Sequence, residues 1–171
     1  GSPLVHACNR HHDGFMNVAE RLELLVIRSH TSSEINRLMS PASGLKETML
    51  YAFRAQSKPD YAKIGITYSY KSRKRDDDQD IYPDNPDWFN LYNRRTAWAI
   101  EQTILKDTIN NHPGALELAK WQGWSELRIA ESLRFDLLDK YTAQLESKID
   151  TIGWKAYVLE NQFLLPGDFE N

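Results

Sequence analysis

Glu101 is the residue whose position most demands a chemical explanation. In the helix expected around it, its neighbours three and four residues away are Ala97, Trp98, Ile104 and Leu105, so its carboxylate sits within an apolar stripe. An ionised carboxylate there is costly unless a cation meets it, and a metal ion or an arginine would serve. A buried salt bridge, or a helix turned so that Glu101 lies at the stripe's edge, satisfies the same pattern. A second clue is a phenol and an ammonium, Tyr51 and Lys63, expected on one face of adjacent strands with Tyr61 beside them. Taken alone, an aromatic on a strand packs as readily as it reacts. A third is the run Lys71, Arg73, Lys74 and Arg75, which can set a positive field at a groove although the net charge is −3.

These side chains need elements to hold them. From Glu47 the hydrophobic period is two: Leu50 and Ala52 point one way, Met49, Tyr51 and Phe53 the other. After a break containing Lys58-Pro59-Asp60, a second strand from Tyr61 to Thr67 puts Ala62, Ile64 and Ile66 on one side and Tyr61, Lys63 and Gly65 on the other. The two form an antiparallel hairpin with one greasy and one functional face. Thr67 or Ser69 can cap a short basic helix through Arg75. Asp76 to Asp87 reads as an acidic loop containing proline. Trp88 to Asn93 follows as a third strand, then a helix from about Arg94 to Asn110, broken by His112-Pro113-Gly114.

The flanks read as helical. Apolar residues at Val18, Leu22, Leu25 and Val26 fit a helix over 15–27, and Thr31-Ser32-Ser33-Glu34 caps a second one through Ile35, Leu38 and Met39. A last long helix is expected from Ser125 to about Asp150, with Leu127, Ala130, Leu133, Leu137, Tyr141 and Leu145 on one stripe and Gly153 ending it. The fold class is therefore α+β: a small antiparallel three-stranded sheet flanked by helices, with an N-terminal extension over 1–44, a core over 45–130 and a C-terminal helix and tail over 131–171. The stripe of the last helix can pack internally or form a dimer seam, so both monomer and homodimer are open, with internal packing favoured.

The 171 residues suffice for one compact domain with additions. Hydrophobic residues at 41% and charged residues at 26% are ordinary globular proportions, and the chain lacks any run of eighteen apolar residues, which argues against a membrane span. A net charge of −3 argues against coating nucleic acid by bulk electrostatics. The single Cys8 cannot form an internal disulfide, so an intracellular location is expected.

Met49-Leu50-Tyr51-Ala52-Phe53, followed by Lys63-Ile64-Gly65-Ile66-Thr67, resembles the two signature strands of GIY-YIG nucleases, the second in a Lys-Ile-Gly form. Arg73 falls eight residues after Gly65, where that superfamily places an essential arginine. Glu101, within Ala99-Ile100-Glu101-Gln102, falls where it places a metal-binding glutamate, and Gly123-Trp124-Ser125-Glu126 is similar to a segment ending the nuclease core in some branches. The likeness covers roughly 47–128. It departs from the name at Met49-Leu50, which stand for Gly-Ile, and at Lys63, which stands for a tyrosine and leaves the general base open.

The resemblance implies a metal-dependent DNA endonuclease. Glu101 would hold a divalent ion, Mg2+ or Mn2+, that polarises the scissile phosphate. Arg73 would neutralise charge on the phosphoryl oxygens, and Tyr51, with its ordinary pKa near 10 lowered by Lys63, would help deprotonate water. Lys71, Lys74 and Arg75 would bind the DNA backbone. The alternatives are a nucleic-acid-binding module of the same fold that has lost turnover, and a helical interaction protein using the two flanks.

Two further patterns resemble metal sites but lack key ligands. Asp76, Asp78, Asp80, Asp84 and Asp87 fall at calcium-loop spacing, with Tyr82 at the backbone-ligand position. Yet Ile81 occupies the position that needs glycine, and Asp87 the one that needs a bidentate glutamate. Cys8 with His6, His11 and His12 could hold zinc but lacks a second ligand pair.

Overall fold

A computed structural model describes residues 32–76, 81–112 and 126–164. The helix expected over 15–27 and the Cys8 cluster lie outside the described residues. Helices α1 (Ser32–Met39) and α2 (Pro41–Gly44) lead into strands β1 (Glu47–Arg54) and β2 (Tyr61–Thr67). Helix α3 (Tyr70–Asp76), strand β3 (Trp88–Asn93) and helix α4 (Arg94–Asp107) follow. The described chain ends with strand β4 (Leu127–Ile129) and helices α5 (Phe135–Ile152) and α6 (Trp154–Asn161).

The hairpin forms with the expected alternation. Leu50 and Ala52 of β1 and Ala62, Ile64 and Ile66 of β2 enter the main core, where Ala97, Trp98, Ile100, Ile104 and Leu105 of α4 cover them. Tyr51 and Phe53 enter a second core with Tyr70, Ile81, Tyr82 and Leu127. The other face is therefore not open, as the hairpin pattern alone suggested: α3 and the Ile81-Tyr82 segment close it with aromatic rings. β3 pairs antiparallel with β1, Tyr51 opposite Phe89 and Met49 opposite Leu91. Asn93 then turns the chain into α4, its side chain accepting a hydrogen bond from the Thr96 N–H at 2.9 Å.

The sheet has four strands, in the order β3-β1-β2-β4, not the three expected. Residues 127–129, assigned from the sequence to the start of the last helix, pair antiparallel with β2, Lys63 opposite Leu127 and Ala62 opposite Arg128. Leu127, Ala130 and Leu133 lie three residues apart, which mimics a helical stripe, and three residues are too few to display a strand period. Arg128 explains why the segment is held. Its fully buried guanidinium donates to the carbonyls of Leu105 (2.9 Å) and Leu127 (2.8 Å) and to Thr108 Oγ1 (2.9 Å). It thereby tethers β4 to the C-terminal end of α4, where a cation is favoured. Burial lowers its pKa to about 10.

The last long helix thus starts ten residues late, at Phe135, and Gly153 ends it at a backbone φ of 93°, as the sequence indicated. Its stripe of Leu138, Leu145 and Ile149 packs into the main core. α6, unread in the sequence, brings Trp154 and Tyr157 to the same core, followed by Phe163, whose ring meets Trp98 edge-on at 6.0 Å. α4 is consequently buried between the sheet on one side and α5 and α6 on the other. Leu38 of α1 joins this core, so the described part of the N-terminal extension belongs to the same body. Among the described residues no helix is long and apolar enough to cross a membrane.

Candidate active site

Tyr51 is fully buried. Its ring stacks on Phe53 (5.9 Å between centroids), meets Tyr70 edge-on (5.3 Å), and places its hydroxyl 3.3 Å from that of Tyr82. Gly65, directly across on β2, makes this possible: a Cβ there would lie 2.5 Å from the Tyr51 hydroxyl. Gly65→Ala is therefore expected to cost about 1–3 kcal/mol, the scale of overpacking a filled core. A urea titration unchanged from wild type would show that the ring can move aside.

Burial pushes the Tyr51 phenol above its ordinary value; Lys63 and Arg73 pull it down and Glu126 pushes it up. The expectation that Lys63 would yield a low-pKa phenol is corrected here, because desolvation outweighs the cations. Lys63 is itself 1% exposed and its Nζ is ion-paired with Glu126. Burial alone would favour the neutral amine, but the Glu126 carboxylate reverses this and holds the ammonium above its usual value. Removing only one partner strands a charge in the interior. Glu126→Gln is expected to cost toward the lower end of ~3–5 kcal/mol, since Glu126 is partly exposed, and Lys63→Met combined with it to recover much of that. A double-mutant cycle measures the coupling, and additive losses would refute the pairing.

Of the basic run, Arg73 alone acts on these groups. It is half-buried on α3 and lies within the electrostatic reach of both Tyr51 and Lys63. Thr67 and Ser69 open that helix as expected: Thr67 Oγ1 accepts from the Ser69 N–H at 3.0 Å, and Ser69 Oγ from the Ser72 N–H at 3.3 Å. Lys71 and Arg75 are exposed; Arg75 pairs with Asp76 at 3.3 Å and Lys74 with Asp84 at 3.4 Å. Asp87 accepts the Arg54 N–H at 2.7 Å, which ties the acidic loop to β1. Positions 78 and 80 of the calcium-like pattern lie outside the described residues.

Glu101 is 4% exposed, buried as its stripe position implied. It comes from α4, on the sheet face opposite Tyr51, so the four residues do not line one open cleft. The link is electrostatic. Burial drives the Glu101 carboxyl well above the ordinary range, Glu126 and Glu34 add to the rise, and Lys63 and a 3.2 Å hydrogen bond from Gln102 Nε2 oppose it. A divalent cation would relieve this cost, so the residue fits a metal ligand in charge. Among the described residues, no three histidine, cysteine or acidic side chains gather as a metal site. Glu101 could therefore take an ion only as a single carboxylate, with the other ligands coming from outside these side chains.

Where β2 passes into α3, a polar pocket of about 380 Å3 is lined by Arg37, Thr67, Tyr68, Ser69, Ser72, Arg73, Asp76 and Arg94. Arg94 opens α4, seven residues before Glu101 and so on the same side of the helix. The pocket therefore joins Arg73, from one sheet face, to the helix carrying Glu101, from the other. A cavity of about 420 Å3 between α4 and α5, walled by Ile104, Leu133, Leu137 and Leu138, is apolar and apart from these groups.

Three participants were missed or misjudged from sequence. Arg94 could have been found by its two-turn spacing from Glu101. Ile81-Tyr82 could have been found as an apolar pair inside an acidic loop. Glu126 had no local signal as the partner of Lys63, because that pairing depends on β4. Compared with protein-family models, curated proteins and solved structures, the chain shows no match in any of the three.

Proposed function

We propose that this chain is a metal-dependent endonuclease of GIY-YIG type that hydrolyses DNA phosphodiester bonds. The observation that carries the reading is a buried glutamate that needs a cation to ionise, two helical turns from an arginine-lined pocket. The contact of Tyr51 with Gly65 and the position of Arg73 support it further. Arg73 neutralises the phosphoryl oxygens as charge gathers on them. Tyr51, fully buried and with its phenol held above the ordinary value, is not the base and packs against Gly65 and Tyr70 behind the site. Glu101 would hold a divalent ion, which when bound would supply Lewis acidity toward the phosphate and a more acidic water. Lys63, neutralised by Glu126, holds the position of β4 against β2.

The test is plasmid cleavage with magnesium or manganese, with a chelator control. Conversion of supercoiled to linear DNA without a nicked stage would indicate two copies acting together; nicked circles first would indicate one. The burial of Tyr51 and Glu101 favours a second reading, a binding module without turnover. Under that reading the protein retains DNA in a shift assay and leaves plasmid intact with either metal.

A further inference from the structure

Arg94 is the least expected cation in the molecule. Only 5% of it is exposed, its Nε is buried without a hydrogen-bond partner, and its guanidinium lies 4.4 Å from the centre of the Tyr68 ring. Burial lowers its pKa; Tyr68, Glu101 and Glu34 support its charge and Arg37 opposes it. A buried donor left unsatisfied is destabilising, and a ring face answers the charge but not the N–H. Arg37 and Arg73 line the same pocket, with the hydroxyls of Thr67, Ser69 and Ser72. Lys46 also approaches Tyr68, 4.5 Å from the ring centre. The one carboxylate in the lining, Asp76, is drawn to Arg75. Several cations and hydroxyls thus converge on one open space.

We infer that this pocket seats a backbone phosphate next to the one attacked. Arg94 and Arg37 grip it, and Arg73 lies between the two phosphate positions. The inference rests on the nuclease reading for the source of the phosphate, while the anion site itself does not require turnover. A guanidinium suits the task because its planar fork can meet two phosphate oxygens at once.

Inorganic phosphate serves as the probe. The thermal midpoint of the whole chain is followed with phosphate and with chloride at equal ionic strength. Phosphate is expected to raise it above the chloride value, and Arg94→Gln to remove that excess. Arg37, exposed on α1, provides a variant that should fold normally. Arg37→Ala is expected to weaken duplex binding on the order of tenfold at low salt. It should also reduce the slope of log affinity against log salt by about 0.9, one phosphate contact on duplex DNA. Lys140→Gln, beside the apolar cavity, is the control and should leave the slope unchanged. A phosphate excess that survives Arg94→Gln, or an Arg37→Ala slope equal to wild type, overturns the inference. Neither readout needs cleavage, so a protein that binds phosphate as described and cuts nothing would sink the nuclease reading alone.

Discussion

Glu101→Gln is expected to abolish metal-dependent cleavage and, at the same time, to stabilise the metal-free protein at neutral and alkaline pH. Both effects follow from one carboxyl. Its folded-state pKa lies well above the ordinary value near 4.3, chiefly through burial. Such a group contributes its full stability below the unfolded-state pKa and loses it as pH rises through the folded-state value. Between those two values the wild type gives up about 1.4 kcal/mol for each unit by which the pKa is raised. The amide has no proton to lose and keeps the Gln102 neighbourhood polar, so its stability should stay flatter with pH. Added magnesium should raise the melting temperature of the wild type at pH 8 and leave the variant unmoved. Urea midpoints at pH 5 and pH 8, with and without the metal, decide it. A variant that cuts at the native rate would remove Glu101 from the chemistry, and one less stable at pH 8 would show its charge already compensated by the protein.

Arg73→Ala should lose a factor of about 10²–10³ in cleavage rate, the scale of removing one charge-stabilising group from a site. It is the member of the basic run whose charge is felt at both Tyr51 and Lys63. Arg75→Ala, two residues on and exposed beside Asp76, should leave the rate at saturating DNA almost unchanged. Arg73→Lys keeps the charge without the planar fork and should fall between them. Single-turnover rates with excess protein separate chemistry from binding. If Arg75→Ala is the slow variant, the catalytic side of α3 has been assigned to the wrong face.

The hairpin was legible because its alternation is long enough to show period two, and β3 because Trp88 to Asn93 lies between a proline-rich loop and a strong helix. Glu101 was legible as buried because four apolar neighbours surround it at helical spacing. Long-range partners were not. β4 has three residues and depends on Arg128 reaching the end of α4, which no local window displays. The expected activation of Tyr51 by Lys63 failed because burial of the phenol outweighs that cation. Alternation also shows which residues share a face, but not that α3 and Tyr82 will cover that face.

A helix covered on nearly every side has a consequence for vectorial synthesis. Ala97, Trp98, Ile100, Ile104 and Leu105 emerge from the ribosome well before α5 and α6, which cover one flank of α4. At roughly 5–20 residues per second, the interval to Leu164 lasts several seconds, during which the sheet can shield only one side. A chain halted before Phe135 would leave the Trp98 flank bare, a natural target for chaperones and a seed for aggregation. Premature termination in the last third of the described chain should therefore give insoluble product, not a smaller folded protein.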